Sequence, residues 1–143
     1  MEFQQYSSPL DRLVPDPEDG RKDVYRIGDL AKEFGVTLRT LRFYEDRGLV
    51  RPEREGSTRL YSRAERARLK VILLAKQVGF SLVDIHGLME IYDKGSTLHD
   101  PLGAALQKFV DQLRLMEQQR EDILAAIDKL KDTISQLRGL SGQ

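Results

Sequence analysis

The sequence predicts a mainly α-helical protein, in which a small helical domain is followed by one long helix. Three observations support this fold class. Apolar residues recur at helical spacing in several short segments between residues 24 and 93. Two short extended runs, joined by a polar Gly-Ser tip, interrupt these helical segments once. After residue 101, apolar residues alternate at spacings of four and three, which is typical of a coiled coil.

The composition argues against several classes of protein. The chain of 143 residues contains no cysteine, so it can form no disulfide, iron–sulfur cluster or thiolate metal site. No apolar run approaches the length of a membrane span, and the N-terminus lacks the features of a signal peptide. Neither His86 nor His99 has neighbours at the spacing of a metal site or a catalytic triad. We expect a cytoplasmic protein that is not an enzyme and that has no metal, no cofactor and no membrane partner.

The net charge of zero conceals two segments of opposite sign. Residues 21–76 contain fifteen Lys and Arg against eight Asp and Glu, a net charge of +7, and the rest of the chain carries −7. A basic segment joined to an acidic remainder is typical of a nucleic-acid-binding module with a non-binding appendage. A solvated charged surface would have a similar composition.

The first 22 residues are predicted to be a flexible N-terminal arm outside the fold. They contain three prolines, five acidic residues and few apolar ones. The first folded domain is predicted to cover residues 23–93.

Two short helices open this domain. The first has an apolar stripe from Ile27 to Phe34 and ends at Gly35, and Thr37 is a suitable N-cap for the second. On the second helix Leu38 and Leu41 share one face, and the arginines and aromatics lie on another. These features describe a helix-turn-helix, although an ordinary helical hairpin with a charged face would share them.

The stretch after the second helix favours the helix-turn-helix. Residues 50–61 read as a β-hairpin, so the order of helix, helix and hairpin is that of a winged helix-turn-helix. Ser62 and Glu65 form a predicted capping box at the start of a third helix, and Ser81 caps a fourth. The third helix pairs one apolar stripe with a predicted basic surface, formed by Arg63, Arg66, Arg68, Lys70 and Lys76.

The C-terminal part is predicted to be a linker, residues 94–101, a coiled-coil dimerisation helix, residues 102–138, and a tail, residues 139–143. Asp100 and Pro101 mark the start of the helix, and Gly139 its end. The predicted dimer interface is the apolar seam Leu106, Phe109, Leu113, Met116, Ile123, Ile127, Leu130, Ile134 and Leu137. Arg120 alone interrupts this seam. Because one helix cannot bury its own seam, we expect a homodimer. The sparse flanking charges leave the orientation of the two helices open.

The order of motifs resembles the MerR family of bacterial transcription regulators. The resemblance rests on residues 41–45 (Leu-Arg-Phe-Tyr-Glu), on the Arg59-Leu60-Tyr61 triplet after the hairpin tip, and on residues 79–85. It covers roughly residues 24–93 and implies that the third and fourth helices form a second wing. It also implies that the long helices pair antiparallel in the dimer.

Seven residues are predicted to contact DNA. Arg39 and Arg42 can reach base edges or phosphates, and Thr40 and Tyr44 can donate hydroxyl hydrogen bonds to phosphate. The resemblance implies phosphate contacts from the wing, at Arg59 and at Tyr61. Phe43 stands where many relatives have a second tyrosine, so it would stack on sugar or pack. For both Tyr44 and Tyr61, anchoring the hairpin to the helix pair is an alternative role.

The family resemblance also implies a mode of action. The homodimer would bind a near-palindromic operator in double-stranded DNA, bend and untwist the promoter spacer, and so present the promoter to RNA polymerase. The metal-sensing relatives use cysteines, which this chain lacks, and the relatives that bind large drugs carry an additional C-terminal domain, which we do not expect here. Any effector would therefore be small or absent. Residues 42–92 are most similar to the branch that regulates branched-chain amino acid and acyl-CoA breakdown.

Two other functions remain open at this point. One is a coiled-coil adaptor whose basic half binds protein or RNA. The other is a MerR-like repressor that never activates transcription. A requirement for two half-sites at fixed spacing would distinguish a regulator from an adaptor.

Overall fold

The computed structural model describes residues 8–14, 22–95 and 97–142, and the chain divides into two compact units, Met1–Ala105 and Leu106–Gln143. The elements of the first unit begin with a short 3₁₀ helix, Pro9–Leu13. They continue with β1 (Val24–Arg26), α1 (Ile27–Phe34), α2 (Leu38–Asp46), β2 (Glu53–Glu55), β3 (Thr58–Ser62), α3 (Arg63–Gln77) and α4 (Leu82–Lys94). The last element is α5 (Pro101–Leu140). The predicted fold class, a mainly helical winged helix-turn-helix followed by a long helix, is confirmed.

The two helices of the helix-turn-helix begin and end where the sequence predicts. Gly35 adopts φ 67°, and its N–H donates to the carbonyl of Ala31 at the end of α1. The Thr37 hydroxyl accepts a hydrogen bond from the Thr40 N–H, 3.1 Å away, at the start of α2. Leu30 of α1 and Leu41 of α2 are fully buried. This packing fixes the angle at which α2 is held.

The wing is part of a three-stranded antiparallel sheet rather than an isolated hairpin. The strand order is β1-β3-β2, with Tyr25 opposite Tyr61 and Arg54 opposite Arg59. The sequence predicts the hairpin of β2 and β3 but no strand at residues 24–26. Because β1 pairs with β3, the hairpin is tied to the segment that enters α1.

The start of α3 differs in one detail from the predicted capping box. The Ser62 hydroxyl accepts from the Glu65 N–H at 3.1 Å, as expected. The Glu65 carboxylate does not return to the Ser62 N–H but accepts from the Arg51 N–H, also at 3.1 Å. Glu65 therefore connects α3 to the chain that enters the wing.

The predicted basic surface of α3 is wrong for three of its five residues. Arg66 and Lys70 are buried, with 1% and 5% exposure. Arg66 pairs with Glu33 of α1 and stacks on the rings of Tyr25 and Phe34.

Arg68, the third of these residues, is mostly buried as well. It donates to the carbonyl of Leu49 and pairs with Asp93 of α4. These guanidinium groups join helices together instead of facing solvent, because each finds acceptors or aromatic faces within the domain.

The fourth helix follows its prediction closely. Ser81 and Asp84 form a complete capping box, in which the Ser81 hydroxyl accepts from the Asp84 N–H at 3.1 Å and the Asp84 carboxylate accepts from the Ser81 N–H at 3.3 Å. Ile85, Leu88 and Met89 are buried.

The prediction that residues 1–22 form an arm outside the fold is wrong for residues 8–14. Ser8 caps the 3₁₀ helix, Leu10 is 1% exposed, and Asp11 accepts a hydrogen bond from the Tyr92 hydroxyl of α4. The buried Leu10 side chain and the hydrogen bond between Tyr92 and Asp11 attach this segment to the domain. The other residues of the predicted arm, 1–7 and 15–21, lie outside the described residues.

The second unit consists of α5 residues. The helix is 40 residues long, about 60 Å at 1.5 Å per residue. It passes through Gly139, where the sequence predicted its end, and stops at Leu140. At its start the Asp100 carboxylate accepts from the Gly103 N–H at 2.9 Å, as expected of an N-cap. In the described part of the chain, no helix is long and apolar enough to cross a membrane.

The apolar seam is exposed along this single helix. Leu106, Leu113, Met116, Ile123, Ile127, Leu130, Ile134 and Leu137 all count among the exposed large hydrophobic residues, and Phe109 is half-buried. A repeated row of exposed Leu and Ile on one helix calls for a partner surface.

Candidate nucleic-acid interface

Helix α2 is the second helix of the helix-turn-helix, the position that is called the recognition helix in this motif, and it has one buried and one exposed face. Leu41 and Tyr44 point into the core, whereas Arg39, Arg42 and Phe43 are exposed. This division follows from helical spacing, because positions three apart share a face. The helix therefore presents two guanidinium groups and an aromatic ring to solvent.

Arg39 and Arg42 have no internal ion pair in the described part of the chain. Five other arginines of the first unit form ion pairs with carboxylates of the domain: Arg54, Arg59, Arg63, Arg66 and Arg68. The free donors of Arg39 and Arg42 are therefore the ones most available for an external acceptor.

Two further residues of the exposed face have internal partners. The Thr40 hydroxyl lies 3.0 Å from the hydroxyl of Thr37, and the side chain is half-buried. The Phe43 ring is 41% exposed and lies under the guanidinium of Arg47, 5.0 Å from its centroid. Phe43 thus offers an apolar surface next to a cation at the C-terminal end of α2.

The two tyrosines predicted to contact DNA lie in the core. Tyr44 is 4% exposed and Tyr61 is fully buried. Burial raises the pKa of Tyr44, and burial with the nearby Glu45 carboxylate raises the pKa of Tyr61 to about 12. The Tyr61 hydroxyl has no hydrogen-bond partner among the residues that the structure describes. This placement favours the alternative role of both rings, which is to anchor the hairpin to the helix pair.

A three-residue charge cluster, which we call the wing clamp, joins the wing to the recognition helix. Its members are Glu45 of α2, Arg54 of β2 and Arg59 of β3. The Arg59 Nε donates to Glu45 Oε1 at 2.6 Å, and the Arg54 Nη2 donates to Glu45 Oε2 at 3.3 Å. The sequence predicted Arg59 as a phosphate contact but did not anticipate its carboxylate partner.

The wing clamp keeps Glu45 ionised. Burial raises the pKa of Glu45, but the hydrogen bonds and positive charges of Arg59 and Arg54 outweigh burial and lower the pKa below its ordinary value. The hydrogen bond from Arg59 to Glu45 raises the pKa of Arg59 in turn. At neutral pH the cluster therefore holds one negative and two positive charges.

The described residues contain no group of three or more His, Asp or Glu side chains arranged to hold a metal ion. Among the predicted site residues on α2, the accessible groups are the guanidinium groups of Arg39 and Arg42, the ring of Phe43 and the hydroxyl of the half-buried Thr40. These are the groups that bind phosphates and base edges in nucleic acids.

Two family profiles match the chain. The profile described as MerR HTH family regulatory protein matches residues 25–91, and the profile described as MerR, DNA binding matches residues 66–140. Together they cover both units.

Named relatives agree with these profiles. The mercuric resistance operon regulatory protein of Shigella flexneri is 33% identical over 117 residues, which cover 76% of this chain and 81% of the relative. The HTH-type transcriptional regulator ZntR of Escherichia coli (strain K12) is 46% identical over 70 residues, 48% of this chain. The match with ZntR spans only 50% of the length of ZntR.

Solved structures show the same fold. The N-terminal part of MtaN, a multidrug transporter activator of Bacillus subtilis, is 30% identical, with a TM-score of 0.55 over 73% of this chain and 95% of that chain. HiNmlR, a MerR family regulator crystallised with promoter DNA, is 23% identical, with a TM-score of 0.53 over 73% of this chain and 79% of that chain. The profiles, the relatives and the fold lead to one assignment: the chain belongs to the MerR HTH family of regulatory proteins.

Proposed function

We propose that the protein is a homodimeric, sequence-specific regulator that binds promoter DNA with one α2 helix per subunit in a major groove. The observation that carries this proposal is the exposed face of α2 in a chain of the MerR family: Arg39 and Arg42 on this face form no ion pair with any other described residue. The relative HiNmlR, which has the same fold, was crystallised on promoter DNA.

The residues proposed to contact DNA would have different roles, which follow from the chemistry of each side chain. Arg39 and Arg42 would read base edges, since a guanidinium can donate two parallel hydrogen bonds to guanine. Arg59 would contact phosphate with the terminal nitrogens that the wing clamp leaves unused, and Thr40 would add a hydroxyl contact. Phe43, stacked under Arg47, would pack on sugar. Tyr44 and Tyr61 would act through packing rather than by direct contact.

The seam of α5 would supply the homodimer. Two copies would cover the exposed row from Leu106 to Leu137 and set the separation of the two α2 helices. A dimer with two reading helices calls for an operator with two half-sites at fixed spacing. Bending that operator between promoter elements would affect RNA polymerase, and any effector that modulates the bend would be small or absent.

The direct test begins with footprinting of the purified full-length chain on its genome, to obtain an operator. Binding is then measured on that operator, on a single half-site and on a scrambled duplex of equal length. We expect the operator to bind at least 10³-fold more tightly than scrambled DNA at physiological salt. Equal binding to all three duplexes would overturn the proposal and favour an adaptor with a basic surface.

Substitutions in α2 identify the reading residues. Arg42→Ala and Arg39→Ala are compared with Arg138→Ala, an exposed arginine of α5 outside the proposed interface. We expect one of the α2 variants to lose about 1–3 kcal/mol of operator binding and to relax the preference at one base pair per half-site. Arg138→Ala is expected to bind as the wild type does. Full discrimination in both α2 variants would place sequence readout in DNA shape instead.

A further inference from the structure

We propose that Glu45 is a positioning residue that sets how strongly the protein prefers its operator over other DNA, by holding Arg59 and Arg54 of the wing against the recognition helix. This inference rests on the proposed function. It assigns a specificity role to an acidic residue within a surface that would otherwise be read as simply basic.

The first argument is geometric. Glu45 lies on α2, and it uses both carboxylate oxygens for the wing clamp. Arg59 and Arg54 face each other across the β2–β3 ladder, so a single carboxylate reaches both strands of the hairpin. The clamp is therefore one of the contacts that tie the orientation of the wing to the orientation of α2.

The second argument concerns the donors that remain. A guanidinium carries five N–H donors, and Arg59 uses its Nε for Glu45. Its terminal nitrogens can therefore bind a phosphate while the contact with Glu45 persists. A side chain held at one nitrogen meets the phosphate in one geometry, whereas a free arginine would adapt to any duplex.

The third argument concerns charge. A carboxylate beside DNA repels phosphates, so an acidic residue at the interface weakens electrostatic binding to every sequence alike. The three charges of the clamp add up to +1 instead of the +2 that the arginines alone would supply. Glu45 thus lowers sequence-independent affinity and at the same time orients a specific contact, and both effects favour the operator over other DNA.

Other acidic residues of the wing lack this arrangement and provide a matched control. Glu55 is exposed at the end of β2, and no salt bridge involves it in the described part of the chain. Glu55→Gln removes the same charge from the same hairpin without disturbing the clamp. A comparison of Glu45→Gln with Glu55→Gln separates positioning from charge.

The experiment measures the affinity of the full-length wild type and both variants for operator and scrambled duplexes across a series of salt concentrations. We expect Glu55→Gln to tighten binding to both duplexes by a similar factor, so that their ratio is unchanged. We expect Glu45→Gln to tighten binding to scrambled DNA but not to the operator. The ratio should therefore fall about tenfold, the order expected for a lost charge-assisted hydrogen bond.

Two further variants keep the inference testable if Glu45→Gln folds poorly. Glu45→Asp retains the negative charge, but its side chain is one methylene too short to reach both arginines. Arg59→Lys retains the positive charge, but an ammonium group lacks the planar arrangement of donors that a guanidinium has. Each should lower the ratio of operator to scrambled affinity about as much as Glu45→Gln does. The double variant Glu45→Gln/Arg59→Lys should lower the ratio no further than either single variant, because both substitutions break the same contact between Arg59 and Glu45.

The outcomes also separate this inference from the proposed function. If the wild type prefers its operator but Glu45→Gln and Glu45→Asp keep the wild-type ratio, Glu45 is only a surface charge and the inference is overturned. If the wild type itself shows no preference for any duplex, the proposed function fails and the inference falls with it.

Discussion

Arginine residues of the same domain differ in burial and in ion pairing, and this difference comes from the residues that surround each of them. Arg66 is buried against Glu33 and two aromatic rings, whereas Arg42 is exposed and unpaired in the described part of the chain. The sequence places both on helices with apolar stripes, so periodicity alone treats both as surface cations. The partners of Arg66 come from α1 and β1, more than thirty residues away, and no local pattern reveals them.

The buried Tyr61 hydroxyl leads to a residue-scale prediction. It has no hydrogen-bond partner among the described residues, and an unsatisfied buried hydroxyl costs about 1–3 kcal/mol. Tyr61→Phe should therefore raise the free energy of unfolding by about 1 kcal/mol and leave operator affinity unchanged. Urea denaturation and a binding titration measure the two quantities.

A second tyrosine provides the control. The Tyr92 hydroxyl donates to Asp11, so Tyr92→Phe removes a hydrogen bond that is made and should lower the free energy of unfolding. A loss of operator affinity in Tyr61→Phe, with stability intact, would instead support the phosphate contact that the sequence predicted for Tyr61.

At the scale of elements, the sequence predicted those segments whose apolar pattern runs for two turns or more. Helices α1 to α5 were found in this way, together with the caps at Thr37, Ser81 and Asp100. Strand β1 is only three residues long and pairs with β3, 34 or more positions along the chain, so its extended form depends on a distant partner. The wing clamp was not predicted for the same reason, because Glu45 and Arg59 lie on different elements.

The 3₁₀ helix Pro9–Leu13 allows a matched test of packing within one element. Leu10 is 1% exposed and Leu13 is 43% exposed. Leu10→Ala should lower the free energy of unfolding by about 2–4 kcal/mol, because it removes a buried side chain and leaves a cavity. Leu13→Ala should change it by less than about 1 kcal/mol. Equal effects, measured by chemical denaturation, would mean that this segment does not pack on the domain in solution.

The contact of Glu65 with the Arg51 N–H predicts a dependence of stability on pH. Burial raises the pKa of Glu65, and the hydrogen bond from Arg51 lowers it less than burial raises it. The folded-state pKa therefore exceeds the ordinary value of 4.5. Stability from this group is fully present below the unfolded pKa and is lost as the pH rises through the folded pKa.

Glu65→Gln removes this titration but retains an oxygen that can accept from Arg51. The free energy of unfolding of the variant should therefore rise relative to the wild type as the pH increases from about 4 to 7. Denaturant titrations at several pH values give this difference directly. A difference that falls over the same range would mean that the carboxylate is stabilised as an anion by the start of α3.

At the scale of the whole molecule, charge and apolar surface are divided along the chain. The basic excess of +7 lies in residues 21–76, and the seam lies in α5. Several of those basic side chains form ion pairs within the domain, so the net charge of the segment is larger than the positive charge that remains available to bind DNA. One subunit therefore presents a modest basic surface and one reading helix, and specific binding should depend on bringing two together.

The last prediction addresses that dependence. Ile127 lies at a seam position between Ile123 and Leu130, and it is 40% exposed on the single helix. Ile127→Asp would place a carboxylate against an apolar partner surface, and an unpaired buried charge costs several kcal/mol. We expect the variant to be monomeric or partly unfolded and to lose operator binding, although every residue proposed to contact DNA is intact. Lys129→Asp, two residues along and off the seam, should stay dimeric and bind. Sedimentation run beside the binding assay decides the matter, because an Ile127→Asp protein that stays dimeric and binds normally would refute the heptad assignment.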